Sequence, residues 1–124
     1  MATIGALVVG SSQPEQVVDF YRGLGLPLAE EDHGDGIIHW ACELAGIHFA
    51  VFRADGDGTA PGYHEAGSTC VGFAVRSVSD AVTASRSAGA RVVQEATEMP
   101  WGLRAIICDP DGRPVEVFEP RLAT

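Results

Sequence analysis

The sequence predicts an α+β fold built from two βαβββ modules whose strands form a curved, cup-like sheet. Three observations predict it. Residues 3–53 and 68–120 repeat one apolar pattern, each half carries a single helical stretch near its start, and the segment 54–67 between them is rich in Gly, Asp and Pro and has no periodicity. The chain of 124 residues is expected to be one domain, 1–124, with 54–67 as a linker; at that length roughly two-thirds of the unfolded surface is buried on folding.

The first half opens with an apolar strand, Ile4 to Val9. Ser12-Gln13-Pro14-Glu15 then has the form of a capping box, with Ser12 placed to accept from the N3 amide, Glu15 to reach back, and Pro14 tolerated in the first turn. Val17, Tyr21 and Leu24 recur at helical spacing, and Gly23 or Gly25 ends the helix. Three strand candidates follow, Leu26 to Glu30, Gly36 to Cys42 and Gly46 to Arg53.

The second half repeats the order. Its opening strand is Cys70 to Val75, and Ser77 with Asp80 three residues on marks a helix start. Val78, Ala81, Val82 and Ala88 form a thin apolar stripe, Gly89 supplies the stop, and strands are expected at Arg91 to Glu95, Leu103 to Cys108 and Pro114 to Glu119. One βαβββ unit covers only one sheet face with its helix. Two units side by side therefore leave a concave surface suited to a small ligand.

Composition excludes several function classes. The formal net charge is −9, from 17 acidic residues against 8 basic ones, and all the basic residues are Arg. Such a field repels phosphate backbones, so no nucleic-acid partner is expected, and it favours a neutral or cationic small molecule. No apolar run approaches the ~20 residues of a membrane span, and the N-terminus has no basic and apolar leader pattern, so the expected location is the cytoplasm, away from membranes. Cys42, Cys70 and Cys108 are scattered through apolar runs and are read as buried, reduced thiols.

The duplicated pattern, Phe20-Tyr21-Arg22 before Gly-Leu-Gly-Leu, Ala88-Gly89-Ala90 after the second helix, and the ending DPDG-x-x-VEV-x-E together resemble the glyoxalase/bleomycin-resistance/extradiol-dioxygenase superfamily, the vicinal oxygen chelate proteins. The resemblance covers essentially the whole chain. It implies a homodimer with a shared pocket, and in the family's enzymes a divalent metal held by side chains from the first and last strand of each module. Carried onto this chain, those positions are Ala6, Ala50, Cys70 and Glu116. Two are alanines, which bind nothing, whereas a catalytic metal needs about three protein ligands and an open position.

The resemblance therefore points to the metal-free binding members of the superfamily. The expected function is metal-independent small-molecule binding of the bleomycin-resistance type, with antibiotic sequestration as its form, no cofactor, and a planar or cationic ligand. The candidate ligand-binding residues are Trp40, His48, Phe52, Cys70, Trp101, Arg104 and Glu116. Trp101 stands before a glycine in a loop, where it either stacks on a flat ligand or plugs the core. The alternative is a glyoxalase-type lyase, isomerase or dioxygenase using Zn, Fe, Mn or Ni. His48 lies two residues before Ala50 and shares its strand face, so His48, Cys70 and Glu116 would form the ligand set. Metal-independent acid–base catalysis by Glu116 and His48, and a structural role without ligand, remain as further alternatives. His33, His39 and His64 are read as surface residues. Glu116 needs a partner if it faces inward, and Arg104, on the preceding strand of the Asp109-Pro110-Asp111-Gly112 hairpin, stands at a diagonal position to supply one.

Overall fold

Each half of the chain folds into a strand, a helix and three further strands, as the repeated apolar pattern requires. The structure, a computed structural model, describes residues 4–32, 38–53, 70–100 and 102–120. The first half contains β1 (Ala6–Ser11), α1 (Pro14–Gly23), β2 (Ala29–Asp32), β3 (Ile38–Leu44) and β4 (Ile47–Arg53). The second contains β5 (Val71–Ala74), α2 (Val78–Ser87), β6 (Val92–Met99), β7 (Gly102–Cys108) and β8 (Pro114–Pro120). The sheets are ordered β1-β4-β3-β2 and β5-β8-β7-β6, so the repetition extends to topology. In both, the first strand runs parallel to the last and the remaining pairs are antiparallel. Residues 1–22 with 26–67, and 23–25 with 68–124, form two compact units.

In the first unit, Phe49 on β4 meets the Tyr21 ring of α1 with centroids 5.1 Å apart, which fixes the helix-covered face of this sheet. Alternation places Val51 on that face, and Phe49, Val51, Val17 and Val18 are all buried. The second unit is built alike. Val115 and Val117 of β8 and Ile107 of β7 form its core, and Glu119, on the Val115 side of β8, reaches α2.

Both helices end in the same way. Leu26 N–H donates to Tyr21 O at 3.1 Å around Gly25, with φ 101°, and Ala90 N–H donates to Ser85 O at 2.9 Å around Gly89, with φ 87°. A left-handed residue closes each helix, and glycine takes that conformation without a Cβ clash. Gly25, rather than Gly23, is thus the stop of α1.

The helix starts differ. Ser77 caps α2 as expected, accepting from Asp80 N–H at 3.1 Å, and the Glu119 carboxylate adds a second cap by accepting from Val78 N–H at 2.9 Å. Ahead of α1, Ser11 accepts from Gln13 N–H at 2.9 Å, one residue before the expected Ser12, and Glu15 pairs with Arg53 at 2.6 Å. Strand bounds shift too: β6 runs on to Met99 where Glu95 is the expected end, and β2 begins at Ala29 instead of Leu26. Leu28 O accepts from both Nε and Nη2 of Arg22, at 3.0 and 2.8 Å, so this carbonyl is withdrawn from strand pairing.

Two tight turns hold the strands in register. Ala45 and Gly46 both have positive φ, 50° and 86°, in the two-residue loop joining β3 to β4. Between β7 and β8, Gly112 N–H donates to Asp109 O at 2.8 Å, and Pro110 and Gly112 occupy positions that suit this turn. No helix among the described residues is long and apolar enough to cross a membrane.

Candidate functional site

Each sheet has one face turned away from its own helix, and the candidate side chains divide between these faces. In the first unit the parallel register pairs Ala6 with His48 and Val8 with Ala50. Alternation from Phe49 then sets Ala6, Val8, His48, Ala50 and Phe52 on the side opposite α1. Trp40 pairs with Val51 across β3 and β4 and so stands on the α1 side, apart from His48 and Phe52. Cys42 lies on that side too, opposite Phe49. Burial, and then the neighbouring Glu43 carboxylate, push its thiol up from the ordinary value, which keeps it protonated.

Two histidines are held by carboxylates on the helix-free face. His48 Nδ1 lies 2.7 Å from Glu43 Oε1, and both side chains are solvent-accessible. His39 Nε2 lies 3.0 Å from Glu31 Oε2, and the His39 ring stacks on Phe52 at 4.4 Å with planes 7° apart. His39 is therefore a buried residue, only 3% exposed, which corrects its reading as a surface histidine. Strand pairing decides this: Glu31 is opposite His39 on β2, a register that the sequence pattern does not reveal. His33, His64 and Trp101 lie outside the described residues.

In the second unit Glu119 bonds the start of α2, so Glu116 and Phe118, of opposite parity on β8, occupy the helix-free face. Ile106 pairs with Glu116 and Arg104 with Phe118, which makes Arg104 and Glu116 diagonal neighbours. Arg104 Nε donates to Glu116 Oε2 at 2.7 Å, as the sequence predicts, and the two side chains are 24% and 26% exposed. Glu116 pairs across β5 with Gly72. A Cβ at that position would lie 3.1 Å from Glu116 Oε1, so the missing side chain gives the carboxylate its seat. The sequence pattern does not mark Gly72 or Phe118, and only the register brings them beside Glu116.

Cys70 precedes β5 and is exposed, Cys42 is half-buried and Cys108 is buried. The expectation of three core thiols thus holds for Cys108 alone, since the chain around Cys70 has not yet entered the sheet.

The family model of the Glyoxalase/Bleomycin resistance protein/Dioxygenase superfamily matches residues 3–117. The chain belongs to this superfamily. Solved structures of similar fold include TioX from Micromonospora sp. ML1, at 22% identity, 97% and 100% coverage of the two chains and a TM-score of 0.69. A glyoxylase/bleomycin resistance protein/dioxygenase domain from Frankia sp. EAN1pec is 20% identical, with 98% and 99% coverage and a TM-score of 0.69. TnmS3, an antibiotic binding protein from Streptomyces sp. CB03234, is 23% identical, with 98% of each chain covered and a TM-score of 0.67. No curated protein matches the chain.

The divalent metal of the superfamily's enzymes does not fit the donors present here. At the corresponding positions Ala6 and Ala50 offer no donor atom, Cys70 is a single thiol and Glu116 is bonded to Arg104. Among the described residues no three His, Cys, Asp or Glu side chains group to hold a metal ion.

Proposed function

We propose that this superfamily member binds a small organic molecule without a metal and without transforming it, as an antibiotic-sequestering protein would, and that it does so as a cytoplasmic homodimer. The observation that carries the reading is the Arg104–Glu116 ion pair. The carboxylate at the family's metal-ligand position is engaged by a cation of the chain itself, on a helix-free sheet face where Gly72 leaves room. A guanidinium bonded to this carboxylate competes directly with a divalent ion for the same oxygen lone pairs. Ala6 and Ala50 support the same reading, and so does the likeness to TnmS3, whose description is antibiotic binding.

The test is metal analysis of protein purified without chelator, followed by titration of intrinsic tryptophan fluorescence with planar antibiotics. Substoichiometric Zn, Fe, Mn and Ni together with saturable quenching are expected. Metal at one ion per chain would overturn the reading in favour of a glyoxalase-type lyase, isomerase or dioxygenase.

A further inference from the structure

We infer that the small molecule presents a negatively charged acceptor edge with an adjacent hydroxyl, as in an ortho-hydroxy aromatic acid, and that Arg104 and Glu116 read this edge together. The inference rests on the small-molecule-binding reading above and assigns the chemical class of its ligand.

The overall charge of −9 points to a cation, but the local geometry points the other way. Arg104 spends one donor, Nε, on Glu116 Oε2. A guanidinium carries five donors, and neither Nη of Arg104 has a hydrogen-bond partner among the described residues. Both side chains of the pair remain about a quarter exposed, at 24% and 26%. Two planar N–H groups beside an occupied Nε match the two oxygens of a carboxylate, the pairing for which guanidinium is shaped.

Glu116 supplies the second half of the recognition. Its Oε2 is taken by Arg104, while Oε1 sits over Gly72, where a Cβ would approach to 3.1 Å. An ionised carboxylate only accepts, so Oε1 suits a hydroxyl or N–H placed next to the ligand's own anionic group. A bare cation fares worse. It would stand beside the Arg104 guanidinium and share a carboxylate whose charge Arg104 already balances.

Charges on the neighbouring elements do not alter this balance. On β5 the residues around Gly72 are uncharged, and on β6 the partner of Arg104 is Thr97. Glu95 is bonded to Arg86 of α2, Glu98 pairs with Leu103 and so lies on the sheet face opposite Arg104, and Glu119 accepts from the Val78 amide at the start of α2. Acidic groups farther away act weakly, because the screening length is about 8 Å at physiological salt.

The experiment compares two planar fluorescent probes on the full chain by anisotropy and calorimetry: 3-hydroxy-2-naphthoate, which carries the acceptor edge and the hydroxyl, and proflavine, which is cationic. The naphthoate is expected to bind the wild type about tenfold more tightly than proflavine, and Arg104→Met to reverse that order by leaving Glu116 unbalanced. Glu116→Gln, which keeps an acceptor and the shape, is expected to retain the naphthoate preference; circular dichroism checks that both variants are folded. Tighter proflavine binding by the wild type, or a naphthoate affinity indifferent to Arg104→Met, overturns this inference and leaves the small-molecule reading standing. No saturable binding of either probe up to millimolar concentration overturns both.

Discussion

The Asp109 carboxylate accepts three hydrogen bonds within the β7–β8 hairpin, and removing it gives a sharp test of how that hairpin is held. Its Oδ1 accepts from Asp111 N–H at 3.0 Å and Arg113 N–H at 2.9 Å, and its Oδ2 lies 2.6 Å from Arg113 Nη1. The side chain has no exposed surface, so water cannot replace these bonds without opening the turn. Asp109→Ala deletes one charge-assisted bond to Arg113 and strands two amides. With about 1–1.5 kcal/mol for each backbone bond and about 1.5–2 kcal/mol for the charged one, the cost is about 3.5–5 kcal/mol. Asp109→Asn keeps an acceptor for the two amides but loses the ion pair and presents an amide to the guanidinium, at about 1.5–2 kcal/mol. Urea unfolding followed by circular dichroism should show both midpoints lowered at unchanged slope. The melting temperature should fall by about 4 °C for each kcal/mol. A loss below about 1 kcal/mol for Asp109→Ala would refute the claim that this carboxylate organises the turn.

Two further outcomes follow from local geometry. Ala45 has φ 50°, a conformation costly for a residue with a Cβ, beside Gly46 in a two-residue hairpin loop. Ala45→Asn should therefore stabilise the chain by about 0.5–1 kcal/mol in urea unfolding, and a destabilised variant would contradict this account of the turn. The three thiols should react with a disulfide reagent in order of access and proton affinity: exposed Cys70 first, then Cys42, slowed by its half-burial and raised thiol pKa, and buried Cys108 only in urea. Reaction of native Cys108 as fast as Cys70 would show that the β7 end opens readily.

The elements legible in the sequence were those written in local chemistry. Helix α2 is announced by Ser77 and closed by Gly89, and its cap and stop are formed within a few residues of chain. The DPDG turn is equally local, since Asp109 bonds residues two and four positions on. What local pattern does not carry is strand register. Trp40 and Phe52 are both candidate ligand-binding residues by sequence, yet Trp40 pairs with Val51, and that one pairing puts it on the α1 side. Likewise His39 reads as a loop-side histidine until β2 brings Glu31 opposite it. The late start of β2 has the same origin: Leu28 has strand character, but its carbonyl is claimed by Arg22 on a helix six residues earlier.

Arg104 and Glu116 lie between these cases, and they show why a diagonal pair can be inferred before a structure exists. The turn motif fixes the β7–β8 hairpin, the hairpin fixes its register from Cys108 and Pro114 outward, and that register sets Arg104 one diagonal step from Glu116. Gly72 enters from the far side, through a parallel pairing separated from β8 by the whole second module, and no local pattern announces it. The meaning of Glu116 depends on both. On the function proposed above, the same pair serves as a recognition element, with both Nη groups of Arg104 uncommitted among the described residues beside an accepting oxygen of Glu116.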